Sequence, residues 1–313
     1  MMIGLSGKDA TIVLSLWNTY SELLTDRSEM ILPVRPLLRD ITVPLSFFST
    51  PLTAVGVDTV VSYPTFLVEP RNLNASFILQ SNQLGFDHLF PFMTRERLGI
   101  PPFFPYRLRL VLRDPYQYVY KSATVDFALV NRWELSVPEN APITVSLGWA
   151  FNSVNLEPLE SPILYSVLVN DELLTIRNVS VVFGGEMPFE IPSDGIRGLN
   201  LRVDVNLRWL YRIFYLPQYR WANDAVVNSW QIQLDLTLTP DAMRWFGYHI
   251  ERQYSLPDFT CSIYINSQSP TPNSVAFDLY RLKLLSGDTS VRVGDSQGWT
   301  LRLGAKEIVF RRS

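Results

Sequence analysis

Three stretches of this chain alternate apolar and polar residues with almost no break. Leu199, Leu201, Val203, Val205, Leu207 and Trp209 are separated by Asn200, Arg202, Asp204, Asn206 and Arg208. Trp230, Ile232, Leu234, Leu236 and Leu238 are separated by Gln231, Gln233, Asp235 and Thr237, and Leu108, Leu110 and Leu112 sit among Arg107, Arg109 and Arg113. A period of two puts one set of side chains on each face of a strand and cannot line one face of a helix. Such runs are half-buried strands, one face packed and the other polar. Shorter runs of the same kind are predicted at Phe77–Leu79, Val125–Leu129, Ile143–Leu147, Val179–Phe183, Cys261–Ile265 and Val275–Leu279. The end of the chain reads as a hairpin, with Ser290–Val293 and Trp299–Leu303 flanking Gly294–Gly298.

The prolines agree with this reading. The chain has 22 prolines against 15 glycines, and most fall between the alternating runs. Proline removes a backbone donor, so these positions exclude helix interiors and central strands. Short strands punctuated in this way belong to a β-sandwich or barrel. Two helical insertions are compatible with the pattern, at Met93–Leu98 and at Asp241–Ile250, the second behind a Thr239-Pro240-Asp241 cap.

The start of the chain reads differently. Ser6-Gly7-Lys8-Asp9 has capping-box spacing, and Ile12, Leu16, Tyr20, Leu23 and Leu24 follow at helical intervals until Pro33. This predicts an N-terminal helical segment over 1–32. The β-branched pair Ile12-Val13 leaves a strand at Thr11–Leu16 as the alternative.

Two portions of the chain echo each other. Arg107–Asp114, Pro115-Tyr116-Gln117-Tyr118, Ala123–Val125 and Leu135–Ala141 form one series. Leu201–Arg208, Pro217-Gln218-Tyr219-Arg220, Ala225–Val227 and Leu236–Ala242 form the other. If the echo is structural, two β-sandwiches lie in tandem, 33–156 and 157–313, divided near Asn152–Pro162. A single large β domain is the other organisation compatible with it.

The net charge of -3 excludes a globally basic nucleic-acid binder, and no sequence-specific nucleic acid is expected as a partner. The basic residues are 23 Arg against 4 Lys. Arg suits interfaces because its planar group is weakly hydrated and bonds bidentately, though genomic base composition produces the same bias. Cys261 is the only cysteine, so stability comes from packing rather than an internal disulfide. No signal peptide is read at the start, and no window approaches the roughly 18 uninterrupted apolar residues of a membrane helix. The sequons at Asn74 and Asn178 accordingly carry little weight.

Motifs for chemistry are sparse. Gly294-Asp295-Ser296-Gln297-Gly298 matches a nucleophile elbow, but a strand pattern follows it where a helix is needed, and both His88 and His249 precede Ser296. Gly4–Asp9 is too short for a phosphate loop. Two histidines and one cysteine cannot furnish ordinary zinc, haem or iron–sulfur frameworks. Asp58, Asp194, Asp288 and Asp295 fall in predicted turns, where Asp serves the backbone more often than a calcium ion. Glu157 with Glu160, and Glu186 with Glu190, read as solvated loop carboxylates rather than a glycosidase pair. No cofactor and no catalysis are expected.

The densest feature is aromatic. Trp209, Tyr211, Phe214, Tyr215, Tyr219, Trp221 and Trp230 lie within 22 residues, interleaved with Arg208, Arg212 and Arg220. Core packing, a subunit interface and a platform for stacking sugars or bases are the three readings. Phe103-Phe104-Pro105-Tyr106 is a second cluster, in a predicted Pro-rich loop with little local core to join. The candidate interface residues are thus Phe103, Phe104, Tyr106, Trp209, Tyr211, Tyr215, Tyr219 and Trp221.

With its strand series at 107–141 and 201–242 behind a leading helix, the chain resembles, as a class, the virion structural proteins of tailed or icosahedral viruses, above all jelly-roll capsid proteins. A tail or baseplate β-protein of a phage has the same outline. The resemblance implies a high-copy homo-oligomer assembling with other virion proteins in the host cytoplasm, located in the virion. A carbohydrate- or receptor-binding β-sandwich is the alternative function.

Overall fold

The computed structural model describes residues 10–16, 29–33, 52–53, 60–62, 71–81, 84, 89–90, 106–113, 120–151, 155–159, 172–185, 188–211, 222–244, 246, 259–267, 274–290 and 298–312. Its strands are β1 (Ala10–Leu16), β2 (Glu29–Pro33), β3 (Leu52–Thr53), β4 (Val60–Ser62), β5 (Arg71–Ile78), β6 (Tyr106–Arg113), β7 (Tyr120–Pro138), β8 (Thr144–Phe151) and β9 (Asn155–Leu159). They continue with β10 (Val179–Gly184), β11 (Phe189–Ile191), β12 (Ile196–Tyr211), β13 (Ala222–Leu238), β14 (Thr260–Asn266), β15 (Ser274–Tyr280), β16 (Lys283–Ser290), β17 (Gly298–Ala305) and β18 (Glu307–Arg312). The described residues are mostly β. The alternating runs from Phe77 to Leu279 lie on strands, with Leu79 and Ile143 one residue beyond a strand end, and every pairing among them is antiparallel.

The leading helix is not there in the described residues. Residues 10–16 form β1, which pairs with β6 as Ile12↔Leu110 and with β2 as Ile12↔Leu32. Tyr20, Leu23 and Leu24, which completed the helical spacing, lie outside the described residues, as do all of 1–9 and the rest of 17–28. The β-branched pair Ile12-Val13 settles into a ladder, where its stiff rotamers are favoured. Near the other insertion, residues 240–244 are helical. Thr239 caps them: its carbonyl accepts from Met243 N at 2.9 Å and its Oγ1 from Ala242 N at 3.4 Å. Met93–Leu98 lies outside the described residues.

The large sheet runs β16-β17-β13-β12-β7-β6-β1-β2, with β8 and β9 also paired to β7 and β5 paired to β8. A second sheet runs β11-β10-β14-β15-β18. From β10 onward, hairpins alternate between the sheets two strands at a time. Inward side chains of both sheets meet in one core. Trp133 of β7 lies 5.3 Å from Phe277 of β15, ring to ring, and Phe90 stacks on Phe310 at 4.8 Å. The Trp133 indole nitrogen donates to Leu89 O at 2.8 Å, so the buried ring leaves no orphan donor. A second ring cluster joins Phe183 to Phe246 and Phe259 at 5.0 and 5.6 Å.

The two echoing series are the long hairpins β6–β7 and β12–β13. They belong to one sheet, because β7 pairs with β12 from Gly198↔Pro138 to Asp204↔Arg132. That ladder joins strands from either side of 156/157, and the division itself falls inside β9, which pairs with β7 as Leu156↔Ala123. Pro158 is tolerated in β9, whose one partner among the described residues is β7.

The 19 residues of β7 change partners along their length. Toward the C-terminal end, 132–138 pair with β12 on one side and, as far as Ser136, with β8 on the other. Toward the N-terminal end, 120–128 pair with β6 on the side that β12 has left. A bulge lies between, where the β7–β8 register shifts from Val130 to Arg132. β12 and β13 do not stop at this fork. Past Asp204 and Ile232, neither has a ladder to β7 or β17, and among the described residues they continue paired with each other alone, from Val205↔Trp230 to Tyr211↔Ala222. The result is a two-stranded ribbon about 20 Å long.

Candidate functional site

The fork and ribbon gather the described members of both aromatic clusters. Tyr106 is the first residue of β6, laddered to Leu16 and Ala128, not a loop residue as the prolines suggested. It starts in line with β12, just beyond the point where β12 leaves β7. Trp209 and Tyr211 lie on the outer half of the ribbon, opposite Ala225 and Ala222. Trp209 is half-buried. Leu207, Val227 and Trp230, nearer the root, pack against the core, so Trp230 follows the core reading. Phe103, Phe104, Tyr215, Tyr219 and Trp221 lie outside the described residues.

At the root of the ribbon is a cleft of about 760 Å³. Asn72 and Asn74 of β5 and the bulged pair Asn131-Arg132 of β7 form one wall. Asp204, Val205 and Asn206 of β12 and Ser229, Trp230 and Gln231 of β13 form the other. Cross-strand register sets these lining residues in line: Asn74 and Arg132 both stand opposite Gly148, Arg132 opposite Asp204, and Asp204 opposite Gln231, one row across five strands. The Asn131 side-chain nitrogen donates to Asn72 Oδ1 at 2.7 Å.

Charge around the cleft is internally paired. Arg132 bonds Glu134, whose other oxygen accepts from Asn200 Nδ2 at 3.0 Å. Arg202 donates to Asp204 at 2.9 Å. The hydrogen bond to Asp204 holds the Arg202 guanidinium above its ordinary pKa; partial burial opposes this, and the fields of Asp204, Glu134 and Asp235 add to it. Arg302 and Gln233 both donate to Asp235, at 3.0 and 3.1 Å. These pairs are half exposed and contribute little to stability, about 1 kcal/mol or less each. They fix which side chains remain free to meet a ligand.

Other predicted positions are placed individually. Of the expected terminal hairpin, Trp299–Leu303 lies in β17, but its partner β16 is Lys283–Ser290, with Ser290↔Gly298; residues 291–297, including Ser296, lie outside the described residues, and a strand, not a helix, runs on from Gly298. Asp288 is in β16 opposite Thr300 rather than in a turn. Glu157 and Glu190 are strand residues opposite Ser122 and Val182, not loop residues; ladder pairing, invisible to the prolines around them, claims both. Asp194 sits in a 3₁₀ turn at Ser193–Gly195. Among the described residues no group of three or more His, Cys, Asp or Glu side chains is gathered for a metal ion, and no helix is long and apolar enough to cross a membrane. Cys261 is fully buried; desolvation, then the Asp278 charge, pushes its thiol pKa well up, which makes it a poor nucleophile. Asp278, buried on β15, accepts from Ser262 Oγ at 2.5 Å and from Arg311, whose pKa that hydrogen bond raises.

Sequence reasoning passed over the cleft residues. Asn72 and Asn74 alternate correctly with Leu73 and Ala75 and read as an ordinary polar face. One signal was present: the adjacent polar pair Asn131-Arg132 breaks the period of two between Val130 and Trp133, which marks the bulge.

No protein-family model matches this chain. No curated protein matches it. Among solved structures, a chain in the cryo-EM structure of the anti-feeding prophage (AFP) baseplate, 6-fold symmetrised, is similar over 49% of this chain and 97% of that chain, at 14% identity and a TM-score of 0.30. A likeness at that level carries no argument about fold or role.

Proposed function

We propose that this chain is a virion structural subunit of capsid, tail or baseplate, with no catalysis of its own. It assembles with copies of itself and with other virion proteins, using the β12–β13 ribbon as an assembly arm. The observation that carries this reading is the ribbon's lack of a third strand among the described residues. An isolated two-stranded ribbon is marginal in water, yet this one presents Trp209 and Tyr211 on its outer half. Docking on a neighbour supplies the missing cover. Burying one such ring contributes about 1.5–3 kcal/mol, and closed symmetry repeats the gain at every subunit. The strand series 107–141 and 201–242, on which the resemblance to virion proteins rests, are the two long hairpins of the sheet. We read the two facing sheets as a β-sandwich; the two-by-two alternation of hairpins supports that over a jelly roll.

The test is sedimentation velocity over a graded concentration series. The wild-type chain forms a discrete oligomer, and the double variant Trp209→Ser/Tyr211→Ser sediments as a folded monomer. A wild-type chain that stays monomeric at high concentration and with its co-expressed genomic neighbours overturns the reading.

A further inference from the structure

We propose that the β12–β13 ribbon of one subunit docks on a second copy at the corner where β15 turns into β16, with Tyr280, Leu284 and Leu285 as its seat, and that a two-fold axis makes the contact mutual. The inference rests on the assembly reading and names the surface that the ribbon meets.

The seat is the first reason. Among the described residues five large apolar side chains are exposed: Leu173, Tyr280, Leu284, Leu285 and Trp299. Scattered single ones are ordinary. Three of these five instead fall within 280–285, and Leu285, at 54%, is the most exposed of all. Leu285 is the extra residue of a bulge, where the β16–β17 register shifts from Leu284 to Ser286. It lies over Gly304: a Cβ built there would stand 3.2 Å from Leu285 Cδ1 and 3.5 Å from its Cγ and Cδ2. The side chain is thus laid flat on the sheet, an apolar patch beside the polar group of Gln233, Asp235 and Arg302. β16 also ends the large sheet, with β17 as its one partner among the described residues. An edge strand that shows leucines to solvent invites pairing with another chain.

The second reason is where the seat stands. Gln233↔Gly304 and Gly304↔Lys283 set β13, β17 and β16 in one row. One rung further, past Ile232↔Ala305, the ladder between β13 and β17 ends and the ribbon begins. Ribbon and seat are therefore neighbours at one end of the sheet. The ribbon carries the half-buried stripe Leu207, Trp209, Ala225 and Val227, and the seat carries its exposed leucines. A two-fold axis beside them lays each ribbon on the other copy's seat. Such a contact uses one continuous surface on both subunits and closes on itself. It also buries ribbon and seat twice, toward the area that a stable dimer needs.

The experiment mixes two variants of the full chain in sedimentation velocity. Leu284→Ser/Leu285→Ser keeps the ribbon and loses the seat, while Trp209→Ser/Tyr211→Ser keeps the seat and loses the rings. Each alone is expected to sediment as a folded monomer with a melting temperature close to that of wild type. Mixed in equal amounts, they are expected to form a 1:1 heterodimer, because one ring-bearing ribbon meets one intact seat. Its association should be about tenfold or more weaker than that of wild type, since one contact of two remains. Should the leucine double variant fail to fold, Leu285→Asp, at the most exposed position, takes its place. A wild-type chain that stays monomeric in every mixture overturns this inference together with the assembly reading. A wild-type chain that is monomeric by itself but joins a co-expressed neighbour overturns this inference alone. So does a wild-type oligomer that the leucine variant leaves intact, or a mixture in which no heterodimer forms.

Discussion

β12 is one strand living in two environments. From Leu199 to Asp204 it lies between β7 and β13, and Leu199, Leu201 and Val203 are buried in the core shared by both sheets. From Val205 to Tyr211 its one partner among the described residues is β13, and its large side chains grade from buried Val205 to half-buried Leu207 and Trp209. The alternation of side chains is the same in both halves. What differs is the number of neighbours, and hence how much apolar surface folding removes from water. Alternation therefore specifies a strand, while the partners decide whether that strand is core or arm.

The comparison breaks most readily in the body. Trp133→Ala removes a ring packed on Phe90 and Phe277 and strands the Leu89 carbonyl. A loss of about 4 kcal/mol in chemical denaturation is expected. A loss under about 1 kcal/mol would mean that the body packs no better than the ribbon. Arg311→Met leaves the buried Asp278 carboxylate with Ser262 Oγ as its remaining side-chain donor among the described residues. Because the Arg311 side chain is 56% exposed, solvent replaces part of the lost pairing. The expected cost is about 2 kcal/mol, read from the same denaturation curves.

Cys261 sharpens the comparison through pH. Its thiol pKa is raised in the folded chain, so the unfolded chain loses its proton first as the pH climbs. Stability from this group is complete below the ordinary thiol range and drains away above it. Between about pH 9 and 11, wild-type stability should fall faster than that of Cys261→Ala, by at most about 1.4 kcal/mol per pH unit. Equal slopes would show that the buried thiol is open to solvent. Trp209→Ser has the smallest expected effect on the monomer, about 1 kcal/mol or less. A larger loss in monomer melting would move this ring from arm to core.

How much of this was legible depended on the range of the interactions. Each alternating run, from Phe77 to Leu279, is a local signal and appears as a strand. Leading-segment spacing misled because Ile12, Leu16 and Leu24 were read as one element, whereas β1 ends at Leu16. Its ladder to Leu108–Leu112 comes from residues some hundred positions away, which no local period reports. The fork was equally hidden: that β7 exchanges β12 for β6 is a matter of long-range register. The cleft depends on Asn74, Arg132, Asp204 and Gln231 coming together from four different strands. In the sequence, each is an unremarkable residue on a polar face.

The most direct test is amide hydrogen exchange along β12, on dilute monomer and on the assembled oligomer. In the monomer, amides of 206–211 should exchange orders of magnitude faster than those of 199–204, because local opening of the ribbon exposes little core. In the oligomer, protection of 206–211 should rise toward that of 199–204. A ribbon already as protected as the body in the monomer, or one left unprotected in the oligomer, would contradict the account.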